Sequence, residues 1–307
     1  MADTRPPGKR LKYACIYGFV RLLIFFSNLL PRALWLRLCG ALGSVAYWLA
    51  HDTRRKAHTH LSRAFGGQRT QKEIKALCKA MFRHLGMNAG EMLRATRVQS
   101  LGDLTRFLVT HGYENFEAAH AKGKGVIFLT CHLGAFDLQV TNMALRGLKP
   151  NIIGTELKDP RLNDLLFKYR NAYGAVAVPR GRETLRLIKA LKSGGAVAIL
   201  IDQDTRVKSR FVNFFGMPAA TPVGAAILAM KTGASVVPTY VFLGKDGKQH
   251  MHILPALPLQ LTGDDEADMV ANTQLYTQVT EDIIRRHPEQ WVWMHERWKT
   301  RPGEEIA

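Results

Sequence analysis

The sequence predicts an α/β protein: a mostly parallel central sheet flanked by helices, preceded by an N-terminal helical membrane-anchor segment. Three observations carry this. Near-continuous apolar runs of strand length, such as GVIFLTC (125–131) and GAVAILI (195–201), alternate with helical segments after residue 102. Strands buried on both faces read this way, and connections of helix length favour parallel pairing. The first fifty residues are instead both basic and strongly apolar.

Residues 13–50 are the most apolar stretch of the chain, broken at Pro31. Residues 1–63 hold eleven Lys and Arg against two Asp and Glu, half of a net charge of +18. Charge and apolarity in one segment favour an anionic membrane surface over nucleic acid, whose readers keep basic patches free of apolar neighbours. No cleavage site follows 14–30, so the segment reads as an uncleaved anchor. Two forms stay open, a tilted single span or an interfacial helix pair broken at Pro31. Arg21 lies inside a run near the lower length limit for a span, about 17 residues. The expected division is an anchor at 1–50 and a catalytic domain at 51–307.

Residues 54–66 and 70–97 read as helices, the second with Ile74, Leu77, Cys78, Met81 and Leu85 on one face. Next come a strand at 125–131, a helix at 136–147 and a strand at 151–157. Asp159 and Pro160 form an N-cap and first-turn pair that starts another helix. A strand at 174–179, a helix at 182–194 and a strand at 195–201 follow. A helix at 222–233 closes on Gly233. Strands at 235–243 and 248–257 flank the turn sequence GKDGK, and a last helix spans 266–287. The closing RPGEEIA is expected to fray.

In such sheets ligands sit beyond the carboxyl ends of strands. The residues there are His132 and Asp137 after the first strand, Arg180 and Arg182 after the third, and Asp202, Gln203, Asp204 and Arg206 after the fourth. A neutral imidazole can take a proton from a hydroxyl, and a carboxylate on its other nitrogen fixes the tautomer. Asp137, five residues after His132 across LGAF, is the expected partner. The spacing alone equally suits a loop histidine beside an unrelated aspartate. Arg170 and Arg180 are candidates to hold phosphate by paired hydrogen bonds.

Other chemistries find no support in the sequence. There is no G-x-S-x-G elbow, Walker A loop or GxGxxG. The four cysteines, Cys15, Cys39, Cys78 and Cys131, show neither zinc nor disulfide spacing. Cys131, adjacent to His132, points to the opposite face of its strand and reads as core. The aromatic WVWMHERW (291–298) reads as packing.

The ordered set TCHLGAFD, VPRG, LIDQD, FFGMPAATPVGAAILAMKTGASVVP and WVWMHERWKTRP resembles the bacterial lipid A biosynthesis acyltransferases of the lauroyl/myristoyl type, within the wider H-x4-D/E glycerolipid acyltransferases. The resemblance runs from the N-terminal segment to Trp298. It implies that His132 is the general base and Asp137 its partner, where many members carry glutamate. It puts Arg170 and Arg180 at positions that bind the phosphorylated acceptor or position the site, and Asp202 and Gln203, its DQ pair, at the substrate. It also implies that 51–307 is an acyltransferase domain using no metal or redox cofactor.

The implied donor is an acyl thioester on acyl carrier protein, or acyl-CoA. The implied acceptor is an anionic, phosphorylated lipid A precursor at the cytoplasmic face of the inner membrane. A protein of this charge would attract an acidic carrier protein. Two rivals are another glycolipid acceptor, a mannoside or ornithine lipid, and a non-catalytic membrane-surface lipid-binding protein.

Overall fold

The computed structural model describes residues 6–154, 157–179 and 184–304. It opens with helices α1 (Pro7–Leu29), α2 (Arg32–Leu49), α3 (His51–Phe65) and α4 (Gln71–Arg94). A short α5 (Leu101–Thr105) leads into β1 (Leu108–His111), α6 (Tyr113–His120), β2 (Val126–Thr130) and α7 (Leu138–Leu145). Then come β3 (Asn151–Gly154), α8 (Pro160–Asn171), β4 (Val176–Pro179), α9 (Thr184–Lys192) and β5 (Ala196–Leu200). The chain continues through β6 (Ser209–Phe214), β7 (Met217–Pro222), α10 (Gly224–Thr232), β8 (Ser235–Leu243), β9 (Gln249–Ile253) and α11 (Asp265–Arg286).

Seven strands form one sheet in the order β1-β9-β8-β2-β5-β3-β4. Every neighbouring pair is parallel except the β8–β9 hairpin. Strand β2 is wholly buried because helices cover both faces, which is why its sequence is apolar throughout. The Asp159 cap is present, its side chain accepting from the Arg161 N–H, and Gly233 closes α10 at φ 70°.

Two elements are not legible in the sequence: β1 with α6, and a separate β6–β7 hairpin. That hairpin turns on Phe215 (φ 54°) and Gly216 (φ 77°), the backbone of a two-residue primed turn. Phenylalanine is an unusual residue there. Its N–H is taken by Glu281, and its ring packs edge-on against Phe65 and Trp293.

Pro31 separates α1 from α2 by removing a donor and forcing Leu30 into extended backbone. Helix α1 is long and apolar enough to cross a membrane. One of its stripes, Tyr13, Tyr17, Val20, Ile24 and Ser27, turns inward at helical spacing. Phe19, Leu22, Phe25 and Leu29 are exposed on the outside. Helix α2 shows the same split, with Leu34, Leu38, Leu42, Val45 and Trp48 exposed and Trp35, Leu36, Cys39 and Tyr47 buried.

Helix α2 crosses α4 through glycines on both sides, so the backbones almost touch. A Cβ at Gly86 would overlap the Cys39 carbonyl oxygen, and one at Gly43 would overlap that of Phe82. Gly86→Ala is therefore expected to lower stability by about 1–3 kcal/mol, since a backbone atom cannot step aside as a side chain can. Gly18→Ala, which meets nothing within 4 Å, is the control and should leave the thermal midpoint unchanged or higher.

Candidate active site

Strands β2 and β5 lie side by side, with Thr130 opposite Leu200. His132 and Asp202 each stand two residues beyond that pair, so the sheet itself brings them to the same height. His132 Nδ1 lies 2.9 Å from Asp202 Oδ1, and the His132 backbone N–H donates to Asp202 Oδ2 at 2.8 Å. A third donor, the indole N–H of Trp291, reaches the same Oδ2 at 2.7 Å.

The expected hydrogen bond between His132 and Asp137 is not among these contacts. After His132 the chain pairs with the C-terminal segment: Leu133 bridges Trp291, and Gly134 N–H donates to Gln290 O. Gly134 takes φ 62° with its α-carbon against the Val241 carbonyl, leaving no room for a side chain. That turn carries Asp137 to the start of α7. There it accepts from Arg170 Nε at 3.1 Å and from Nη2 at 2.8 and 3.1 Å.

Both members of this second pair are largely buried, with side chains 10% and 13% exposed. Arg170, expected at the substrate, thus spends its guanidinium fork on Asp137. Arg180 lies outside the described residues. Gln203 follows Asp202, half-buried in the same loop.

The Asp202 carboxylate is fully buried. Burial by itself would raise its pKa, but the charge and hydrogen bonds of His132 and the Trp291 donor outweigh that and bring it to about 2. An ionised Asp202 accepts and cannot donate, so Nδ1 of His132 carries the proton. In the neutral form of that imidazole the lone pair is on Nε2. The His132 ring is 23% exposed, with Phe136 edge-on at 5.1 Å between centroids.

Asp204 anchors the loop from its other end. Its N–H donates to His295 Nε2, and its carboxylate receives Thr300 N–H and Oγ1–H. Arg297, wholly buried, donates to Ala220 O at 2.6 Å and sets a positive charge facing Asp202 and Asp204. The segment read from sequence as packing, 291–298, therefore also holds the site. The roles of Trp291 and His295 are invisible in the sequence, because nothing in an aromatic run shows that one indole N–H bonds a distant carboxylate.

A small apolar cavity lies beside the Asp137–Arg170 pair. Phe128, Phe136, Val140, Met143, Ile152 and Met251 line it, and Asp137 and Arg170 form part of its wall. A histidine held by a buried carboxylate at adjacent strand ends is an arrangement suited to general-base chemistry.

The chain belongs to the bacterial lipid A biosynthesis acyltransferase family, whose model matches residues 6–300. It is 28% identical over 281 residues to the lipid A biosynthesis lauroyltransferase of Escherichia coli K12, covering 89% of this chain and 88% of that one. The Escherichia coli K12 lipid A biosynthesis myristoyltransferase is 28% identical over 86% of this chain and 80% of its own length. A phosphatidylinositol mannoside acyltransferase of Mycobacterium tuberculosis CDC 1551 is 27% identical over 62% of this chain and 60% of its own.

Proposed function

We propose that this acyltransferase moves a fatty acyl chain from a thioester to a hydroxyl of a phosphorylated lipid A precursor, the secondary acylation of lipid A biosynthesis. The carrying observation is the Asp202 carboxylate on His132 Nδ1, which leaves Nε2 as the base. Nε2 takes the proton of the acceptor hydroxyl as its oxygen attacks the thioester carbonyl. The new C–O bond forms, the C–S bond breaks, and the departing thiolate recovers the proton from the imidazolium. Asp202 stays ionised and stabilises the transient positive charge.

Asp137 and Arg170 act in this scheme by positioning: their ion pair braces the start of α7 just after the turn that carries His132. Arg180 and Gln203 are proposed to contact the acceptor. The proposed donor is acyl carrier protein, whose acidity suits a chain of net charge +18, with acyl-CoA as the alternative. The proposed place of action is the cytoplasmic face of the inner membrane, and no nucleic acid is involved. A second acceptor class, a mannoside-bearing lipid, is favoured by the similarity to the mannoside acyltransferase.

Mass spectrometry of lipid A from cells with the gene, without it, and with His132→Ala tests the reading. One acyl chain is expected to be missing in the last two. An unchanged lipid A, with an acylated mannoside formed by the purified protein, would replace the acceptor. Acylation by His132→Ala at the wild-type rate would end the base assignment.

A further inference from the structure

A larger opening lies away from His132, at the elbow between α1 and α2. It is a cleft of about 630 Å³ walled by Arg32, Arg94, Arg97 and Arg106, with Asn28 and Phe107. The four guanidiniums come from the start of α2, the last turn of α4, the 3-10 turn Ala95–Arg97 and the approach to β1.

Their charges are unevenly met. Arg32 is paired with the buried Glu91. Arg94 donates to the carbonyls of Ser27 and Leu30, and Arg97 to that of Asn28 at 2.8 Å. These bonds tie down the carboxyl end of α1, but their acceptors are neutral. Arg106 makes no side-chain hydrogen bond among the described residues. The acid in the wall, Asp103, is occupied in capping α5 through Ser100 N–H and Oγ–H and Gln99 N–H. Of the arginines in the wall, only Arg106 lies near enough to Asp103 to lower its pKa by charge, and that carboxylate is already in use. Burial and the nearby charges of Arg97 and Arg32 lower the pKa of Arg94, and the Glu91 carboxylate, already paired with Arg32, only partly offsets them.

Position narrows the ligand. The exposed Phe25, Leu29, Leu34 and Leu38 flank the elbow on both helices, so the cleft adjoins the apolar outer surface. Strand β1 is parallel to β9, β9 antiparallel to β8, and β8 parallel to β2. The start of β1 therefore lies at the sheet edge where β2 ends. Three strand steps separate them, roughly 14 Å from the spacing of neighbouring strands.

We infer that this cleft is a second binding site, for the phosphate of an anionic lipid headgroup whose chains lie along α1 and α2. Guanidiniums in a concave setting suit a compact phosphate, held by paired hydrogen bonds, better than the convex acidic surface of a protein. The site does not depend on the reaction proposed above, because it concerns what the elbow holds and not what His132 does.

The test uses the full chain and Arg106→Gln, with Lys75→Gln as an exposed control of equal charge. Binding is measured to vesicles of phosphatidylcholine alone and of phosphatidylcholine with phosphatidylglycerol. A parallel arm uses a phosphorylated glycolipid in detergent. Preference for the anionic vesicles should fall roughly tenfold in Arg106→Gln and much less in Lys75→Gln, the size expected for one charged hydrogen-bonding contact. Arg106→Lys should recover part of it.

Loss confined to the vesicle arm identifies a bilayer phospholipid, and loss confined to the detergent arm identifies a phosphate of a glycolipid substrate. Equal behaviour of Arg106→Gln and Lys75→Gln in both arms would overturn the site, leaving only diffuse charge attraction. So would loss of binding to an acidic carrier protein with lipid binding intact. Arg106 is exposed, so an unchanged thermal midpoint is expected and separates these results from misfolding.

Discussion

Asp202→Asn is expected to fold normally and to lose turnover by roughly four powers of ten. The carboxylate accepts three hydrogen bonds, two from His132 and one from Trp291. An asparagine oxygen can keep the backbone N–H and the indole N–H. Its amide then faces Nδ1 with a donor, which moves the imidazole proton to Nε2. The nitrogen meant to take the hydroxyl proton is already protonated, and the base is lost while the shape remains. Turnover at saturating acceptor, measured beside the thermal midpoint, checks this. A variant within tenfold of wild type would show that Asp202 does not set the tautomer. If Asp137→Asn were then the inactive one, the carboxylate role would pass to Asp137.

Arg170→Ala is expected to cost about 3–5 kcal/mol of stability, because it strands the Asp137 carboxylate in a cavity wall of apolar side chains. The partnered charge is tolerable there; the lone one is not. Removing both, in Asp137→Ala with Arg170→Ala, should recover part of the loss, since two neutral side chains leave only a cavity to account for. Denaturant unfolding of the four species gives the coupling directly. A double variant as unstable as the sum of the singles would mean that the two side chains act independently.

The chain reveals a good part of this before it folds. The parallel sheet is legible because buried strands write themselves as apolar runs, and His132 is legible because it ends one. Its partner is hidden for a physical reason. Sequence shows which residues follow a strand, but not which strand lies beside it. Asp137 is near in the chain, yet Gly134 turns it toward Arg170. Asp202 is seventy residues away, and only the pairing of β2 with β5 makes it a neighbour. Given that register, the match of Thr130 with Leu200 names the pair at once. The β6–β7 hairpin escapes because a phenylalanine occupies a backbone shape that glycine or asparagine usually announces.

Because a ladder of main-chain bonds levels His132 with Asp202, their separation is blind to how much polypeptide loops out between them. Loops between residues 138 and 195 can lengthen or shorten, provided β3, β5 and the Arg170–Asp137 pair keep their places. A one-residue slip of β5 against β2 would do what no loop insertion can: it would turn Asp202 to the other face of the sheet and leave the imidazole unaimed.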